Sequence, residues 1–238
     1  MARYHCAEGK EVALTYALIR QLSGDESLLQ QRAAIVGYAE RNGVPLESEM
    51  IEFERAERPL KERRSFQDFL HSLHEGDQLV VERIEVLGAT MEEVIVVINC
   101  MLSHGVTLRI VSPELVVDKE TGLARILPLI VRLDETRQKR ERDHRVGRPK
   151  GRRSASKFDV HLPRIMEGLK ADKSVSAIAR ELNVSRSSLK DYIESRRLKE
   201  ILDDSWLERA KRNHRIAEEA EPAELACTLR HNTPTKHH

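Results

Sequence analysis

"SFQDFLHSLHEGDQLVVERIEVLGATMEEVIVVINCMLSHGVTLRIVS" occupies residues 65–112 and decides the fold class. Apolar residues at helical spacing in 65–74 and 90–103 alternate with two short apolar runs, "DQLVVERI" (77–84) and "VTLRIVS" (106–112). Short apolar strands that alternate with amphipathic helices are typical of α/β folds with a mostly parallel sheet. The stretch therefore predicts parallel strands covered by helices.

The same pattern continues toward the N-terminus. "EVALTYALIR" (11–20) and "SEMIEFE" (48–54) are further strand candidates, and a helical stretch at roughly 25–42 separates them. A run of this kind fits the size of one small domain. We expect residues 1–121 to form a small α/β domain with a mostly parallel sheet.

A long helix is predicted at 122–145, apolar in its first half and basic in its second. Pro128 lies inside this range. Because proline removes a helical hydrogen bond and usually kinks the helix, we expect the helix to break or to begin later.

Composition excludes several classes of protein. The chain has 40 Lys and Arg against 39 Asp and Glu, and its three cysteines are far apart. The spacing favours neither a zinc site nor a disulfide framework, and no apolar run reaches the roughly 18 residues of a membrane span. We expect a cytoplasmic protein with no metal, no cofactor and no membrane partner.

The basic residues concentrate in "RVGRPKGRRSASK" (145–157), where glycine and proline disfavour a helix. An extended, arginine-flanked peptide suits the DNA minor groove, into which arginine inserts without a base code. A solvated linker is the alternative interpretation. We predict a DNA-contacting arm at 146–157, and we include Arg145, which directly precedes it. The candidate contacts are Arg145, Arg148, Lys150, Arg152 and Arg153.

"SVSAIARELNVSRSSLKDYIESR" (174–196) has the pattern of a helix, a tight turn and a second helix. With a preceding helix at roughly 160–171, it predicts a three-helix module over 158–196, whose last helix enters the major groove. A small helical module that binds protein is the alternative. Ser185 is placed to cap the last helix. The other side chains expected to project from it are Arg186, Ser187, Ser188, Lys190 and Tyr192.

From about residue 11 to 196 the chain resembles the serine recombinase family, the resolvases and DNA invertases. "ERPLKERRSFQDFLHSLHEGDQLVVERIEVLG" (57–88) is similar to the family's stretch from an active-site arginine to the segment after the third strand. "TG" at 121–122 resembles the start of its dimerisation helix. The resemblance implies a resolvase-like α/β domain, a dimerisation helix at 122–145, a minor-groove arm and an all-α helix-turn-helix domain.

The family's chemistry needs a serine that attacks a DNA phosphodiester and arginines that hold the phosphate. When the family is aligned without a gap on "SLLQQR" (27–32), its first arginine falls on Arg20 and its nucleophile falls on Leu22, with Ser23 one place late. When it is aligned instead on "YA" (16–17), the nucleophile falls on Arg20. Only a one-residue bulge would bring Ser23 into place.

The segment "IEVLGAT" (84–90) departs from the family a second time. Glu85, Val86 and Ala89 stand where an aspartate and two arginines are expected, although Arg63 and Arg137 match other family arginines. We interpret those two as surface or packing charges. No intact catalytic site is predicted, and the remnant candidates are Arg20, Ser23, Arg63 and Arg137.

The resemblance and the substitutions together favour a sequence-specific DNA-binding protein, a transcriptional regulator on a disabled recombinase scaffold. An active recombinase that uses Ser23 in a shifted register, and an accessory architectural protein of recombination, are the alternatives. The expected partner is double-stranded DNA, the expected assembly is a homodimer or a tetramer, and the expected location is the bacterial nucleoid. Residues 197–238 extend past the family pattern as a predicted helical extension and disordered tail.

Overall fold

The computed structural model describes residues 13–22, 27–53, 57–143 and 156–220, and of residues 136–143 and 213–220 it describes the backbone alone. These residues form a layered α/β body followed by a group of short helices. The strands are β1 Thr15–Arg20, β2 Ser48–Glu52, β3 Gln78–Val81, β4 Thr107–Ile110 and β5 Leu115–Val117. The helices are α1 Leu28–Arg41, α2 Arg64–His71, α3 Met91–Ser103, α4 Leu127–Asp143, α5 Leu162–Lys170, α6 Val175–Glu181, α7 Arg186–Ser195, α8 Leu198–Ile201 and α9 Ser205–Ala220.

The sheet has the order β2-β1-β3-β4-β5. The first four strands in this order pair in parallel, as the alternating pattern predicts, and β5 pairs antiparallel to β4. The mixed α/β fold with a mostly parallel sheet is therefore confirmed. β5 was not predicted, because a strand of three residues is too short to show an alternating pattern.

Two apolar layers cover the sheet. Residues of alternate strand positions pack on one side against α2, α3 and the start of α4, and on the other side against α1. The second cluster continues without a break into the helices after residue 156, including Phe158, Ile165 and Trp206. The C-terminal helices thus rest on the α1 side of the body.

The helix predicted at 122–145 begins later. Residues Leu123–Ile126 form a 3-10 helix, and α4 begins at Leu127. Pro128 consequently lies in the first turn of α4, where its missing N–H breaks no helical hydrogen bond. Ile126 and Ile130 are buried in the core, so the beginning of α4 is fixed to the α/β body.

Two predicted strands end earlier than the apolar runs suggest. β3 ends at Val81 because the chain turns into a 3-10 helix at Ile84–Val86, and β2 ends at Glu52. The predicted helix at 25–42 is α1, which begins after Ser27. The Ser27 Oγ accepts the Gln30 N–H at 3.1 Å and the Gln30 Oε1 accepts the Ser27 N–H at 2.8 Å, a capping box that fixes the start of the helix.

The C-terminal helices α5, α6 and α7 lie where the three-helix module is predicted. Asn183, with a φ of 53°, makes the tight turn between α6 and α7, and the Val184 N–H donates to the carbonyl of Ala179 at 2.9 Å. The helical extension is present as α8 and α9. The predicted disordered tail from 221 onward lies outside the described residues.

Candidate functional site

The candidate site lies at the carboxyl edge of the sheet, where β1, β2 and β3 end. Arg20 is the last residue of β1, and it pairs in register with Glu52, the last residue of β2. Gln31 of α1 holds this strand end, since its Oε1 accepts the Arg20 N–H at 3.1 Å and its Nε2 donates to the Arg20 carbonyl at 2.7 Å. The backbone at Arg20 is thereby tied to the helix that follows it.

The Arg20 guanidinium is turned into the protein and has no exposed surface. It donates to the carbonyls of Val86 and Arg58, both at 3.4 Å, and its Nε lies 3.5 Å from the Glu52 Oε2. Glu52 is the last residue of β2, and the two carbonyls belong to the segments that follow β3 and β2. Arg20 therefore contacts backbone and a carboxylate of its own chain.

Arg63 is bound even more tightly to the same carboxylate. Its Nε donates to the Glu52 Oε1 at 2.7 Å and its Nη2 donates to the Glu52 Oε2 at 2.5 Å, a bidentate pair. The Nη1 donates to the Leu87 carbonyl at 2.6 Å, and the guanidinium lies 4.0 Å from the centre of the Phe66 ring. With 1% of its surface exposed, Arg63 is a buried packing charge.

One carboxylate thus serves two buried guanidinium groups. Burial and the neighbouring Arg63 charge lower the pKa of Arg20 to about 10, while the charge of Glu52 acts in the opposite direction. Arg20 still carries its proton at neutral pH. Within the protein its charge is compensated by Glu52 and by backbone carbonyls.

The three positions where the resemblance predicts catalytic side chains carry apolar ones in this chain. Leu22 is half-buried and packs against the apolar core, and Val86 is fully buried. Ala89 is half-buried, and its N–H donates to the Glu93 Oε2 at 2.8 Å. The other oxygen of Glu93 accepts the Leu60 N–H at 2.7 Å, so this carboxylate joins the loop after β3 to the segment before α2.

Glu82 adds negative charge to the same edge of the sheet. Although the half-exposed Arg83 side chain lies 2.8 Å away, burial and the charge of Glu85 raise the pKa of Glu82 to about 7. A phosphate group approaching the ends of the strands would therefore meet carboxylates as well as cations.

Glu82 gives a prediction for the pH dependence of stability. Its folded-state pKa lies above the ordinary value of 4.5, so its contribution is most favourable below that value and is lost as the pH rises toward about 7. Glu82→Gln should therefore raise the free energy of unfolding at pH 8 by about 1–2 kcal/mol, allowing for solvent screening, and leave it unchanged near pH 4.5. Urea unfolding at both pH values measures this, and an equal effect at the two would contradict it.

A cavity of about 460 Å³ opens beside Arg63, between the segment before α2 and the start of that helix. Its exposed cations are Lys61 and Arg64, and Arg58 at its rim lies 3.7 Å from the Glu62 carboxylate. Ser65 is the hydroxyl residue among the side chains that line this cavity. The arrangement can attract an anion, although the carboxylates of Glu52 and Glu62 also line the cavity.

The last helix of the three-helix module, α7, presents part of the predicted DNA-contacting set. Arg186, Ser187 and Lys190 are exposed, and Ser188 is half-buried. Ser185 lies at the N-cap position of α7, but its hydroxyl pairs with that of Ser187 at 2.9 Å instead of capping the backbone.

The prediction that Tyr192 projects toward DNA is wrong. Its side chain is buried against Phe158, and its hydroxyl donates to the Asp159 Oδ1 at 2.9 Å. Tyr192 lies three residues after Leu189 and one before Ile193, both of which are buried, so it belongs to the apolar face of α7. Burial and the Asp159 hydrogen bond raise the pKa of Tyr192 above its usual range.

Several predicted site residues lie outside the described part of the chain. They are the remnant candidate Ser23, the side chain of Arg137, and the arm residues Arg145, Arg148, Lys150, Arg152 and Arg153. Of the four predicted remnant residues, Arg20 and Arg63 therefore lie together in the described structure, where both contact the Glu52 carboxylate.

Three polar residues of the site were not predicted. Gln31, Glu52 and Glu93 each bind backbone or guanidinium groups at the strand ends. Glu52 lies in a predicted strand. An acidic residue in a strand does not by itself indicate a buried partner, because its neighbours in the fold must also be known.

Among the described residues, no group of three or more His, Cys, Asp or Glu side chains is arranged to hold a metal ion. Nor does any helix in the described ranges have the length and apolar character needed to cross a membrane.

Comparison with known proteins adds a family match. The family described as "Resolvase, N terminal domain" matches residues 16–154. Among solved structures, the chain is similar to the N-terminal catalytic domain of TP901-1 integrase, with 11% sequence identity and a TM-score of 0.38, over 53% of this chain and 98% of that one. No curated protein matches the chain significantly.

Proposed function

Since the chain belongs to the serine recombinase family through its resolvase N-terminal domain, we propose that it binds specific duplex DNA sequences and no longer cuts them. Proteins of this family generally bind DNA and form oligomers. In this proposal the α/β domain is a scaffold for assembly, and the protein acts as a transcriptional regulator.

The observation that carries the proposal is the shared use of Glu52 by Arg20 and Arg63. A recombinase needs guanidinium groups that donate to a phosphate while charge develops on its oxygens. Here the side chains of both arginines are buried, and they donate to Glu52 and to backbone carbonyls. Presenting them to DNA would break a buried ion pair, which costs about 3–5 kcal/mol.

The substituted positions point the same way. A phosphate-binding donor removed from an active site typically costs about 100-fold to 1000-fold in rate. Val86 and Ala89 remove two such donors relative to the family pattern, and Leu22 offers no hydroxyl at the position that best fits the alignment. The losses affect catalysis and leave the DNA-contacting residues of the C-terminal half untouched.

Support for DNA binding comes from α7 and from the basic arm that precedes the module. Arg186 and Lys190 lie one turn apart on the exposed side of α7, so both can reach one groove of DNA. Arginine commonly donates two hydrogen bonds to guanine in the major groove, and lysine commonly binds phosphate. The buried face of the same helix, with Leu189 and Ile193, holds it on the module.

Dimerisation through α4 is the second part of the proposal. Leu127 and Val131 lie four residues apart on this helix, and 51% and 52% of their surfaces are exposed. Apolar side chains one helical turn apart form a continuous apolar strip. A second copy of α4 would cover it, and the resulting dimer would present two modules to an inverted repeat.

The proposal predicts different effects for base-reading and phosphate-binding residues. Arg186→Ala should weaken binding to the preferred site by about 1–3 kcal/mol and leave binding to random DNA nearly unchanged. Arg148→Ala with Arg152→Ala should weaken both and flatten the salt dependence, because these arm residues neutralise phosphates.

Titrations of specific and random duplexes at several salt concentrations measure these effects, once the preferred site has been found by selection from random sequences. Equal losses on the two duplexes for both variants would remove Arg186 from the base-reading set. Failure of the selection to enrich any sequence would refute specific DNA binding.

A further inference from the structure

Arg32 of α1 contacts the C-terminal helical extension. Its Nη2 donates to the carbonyl of Ile201 at 2.7 Å and its Nη1 donates to the carbonyl of Glu200 at 3.2 Å. Both carbonyls lie at the end of α8, which follows the three-helix module directly. A guanidinium at this place satisfies carbonyl groups that a helix end leaves without partners.

Two further groups complete the contact, here called the Arg32 junction: Arg32, Glu49 of β2, Trp206 of α9 and the carbonyls of Glu200 and Ile201. The Arg32 Nη2 also donates to the Glu49 Oε1 at 2.9 Å, and its guanidinium lies 4.9 Å from the centre of the Trp206 ring. The junction is closed to solvent, with Arg32 7% and Trp206 8% exposed. It joins the α/β domain to residues that lie beyond the matched family domain.

The chemistry of the junction favours a role in orientation. The Arg32 Nε is buried and has no hydrogen-bond partner among the described residues. Burial also raises the pKa of the Glu49 carboxyl, although the Arg32 charge and hydrogen bonds from Trp206 and Arg32 act in the opposite direction. Polar atoms buried without a partner reduce stability, and an apolar contact of the same size would be at least as stable. Directional bonds from one planar guanidinium to a carboxylate and two carbonyls instead allow a single placement of the extension.

The DNA-contacting side of the module stays open while the junction is closed. Arg186, Ser187 and Lys190 of α7 are exposed in the same structure in which Arg32 and Trp206 are buried. The junction therefore does not cover the surface proposed to read DNA. On the opposite face of the sheet, Ile126 and Ile130 anchor the start of α4 in the core.

We propose that the Arg32 junction fixes the module relative to the α4 dimerisation helix and thereby sets the half-site spacing that the dimer accepts. The inference rests on the proposed function. If the arm alone connected the parts, each module would move on a tether, and the dimer would tolerate many spacings. With the junction closed, the two modules keep a fixed distance and a fixed rotation about the DNA axis.

The test uses the full chain and a series of duplexes that carry the two selected half-sites with zero to five base pairs inserted between them. An insertion of five base pairs turns one half-site by about half a helical turn. The native protein should lose about 100-fold or more in affinity at this insertion, because both modules can no longer engage. Arg32→Met with Glu49→Gln, which opens the junction without leaving a buried charge, should lose less than about tenfold.

Two controls separate position from folding. Arg41→Met removes an exposed arginine from the same helix and should keep the native spacing profile. Trp206 is the single tryptophan, so its emission should shift to the red when the junction opens. Binding to a duplex with one half-site should be the same for all variants, and Trp206→Leu should broaden the spacing profile as the double variant does.

Three results would overturn the inference. Identical spacing profiles for the native chain and a variant with red-shifted emission would show that the junction does not set the spacing. Tighter binding of that variant to one half-site would make the junction an inhibitory contact, and weaker binding would make it part of the module's own fold. Absence of specific binding by the native chain would refute the proposed function as well, whereas specific binding with equal profiles refutes this inference alone.

Discussion

Arg63→Ala should lower the free energy of unfolding by about 3–5 kcal/mol, since it leaves the Glu52 carboxylate buried without its bidentate partner. The substitution also removes the donor to the Leu87 carbonyl and opens space beside Phe66. Arg20 cannot replace the lost pair, because its Nε lies 3.5 Å from one Glu52 oxygen and its Nη atoms donate to carbonyls. Urea unfolding followed by circular dichroism measures the change.

The adjacent Arg64 supplies the matched control. Arg64 is exposed at the start of α2, so Arg64→Ala should change the free energy of unfolding by no more than about 0.5 kcal/mol. If Arg63→Ala changed the free energy of unfolding as little as Arg64→Ala does, this would contradict a stabilising buried ion pair between Arg63 and Glu52. It would mean that Glu52 reaches water and that Arg63 is available to an external phosphate.

The second large effect concerns dimerisation. Leu127→Glu with Val131→Glu places two charges on the apolar strip of α4, and the repulsion should dissociate the proposed dimer. Binding to a duplex with both half-sites should then weaken by about 10²-fold to 10⁴-fold, because each module binds alone. Binding to one half-site should stay the same.

Arg132→Ala is the control for this variant, since Arg132 is exposed beside Val131 on the same helix. Sedimentation gives the mass of each variant in solution, and gel shifts give the affinities. A double variant that remains dimeric would show that another surface joins the subunits. A native chain of monomeric mass that protects one half-site would refute the dimer itself.

The fold class could be read from the sequence because the periods of the apolar residues differ between helices and strands. The four longer strands and helices α1, α2 and α3 follow this pattern. The ends of elements follow local chemistry instead. β3 ends at Val81, three residues before the end of the apolar run at 84, because the chain turns into the 3-10 helix at Ile84–Val86. Pro128 did carry a usable signal, since proline is favoured in a first helical turn.

The candidate site was less accessible to sequence reasoning. The alignment identified Arg20 and Arg63 as remnants, but a sequence does not tell whether a guanidinium meets solvent, a phosphate or a carboxylate of its own chain. That depends on Glu52, which contacts Arg63 in the fold but lies 11 residues before it in the sequence. Tyr192, by contrast, was predictable as a core residue from its spacing to Leu189.

The central claim is that the scaffold binds DNA without cutting it. If Leu22 stands where the nucleophile belongs, Ser23 has no chemical role, and a phosphoserine link to DNA cannot form. Ser23→Ala should leave both DNA binding and regulation of a nearby promoter unchanged.

The direct measurement is to incubate the purified protein with supercoiled DNA that carries its own binding sites, and to assay for nicking, strand exchange and a covalent protein–DNA adduct. The account predicts bound DNA with none of the three, for the native chain and for Ser23→Ala alike. Adduct or strand exchange by the native chain, abolished in Ser23→Ala while DNA binding persists, would contradict it and make the protein an active recombinase with a shifted nucleophile.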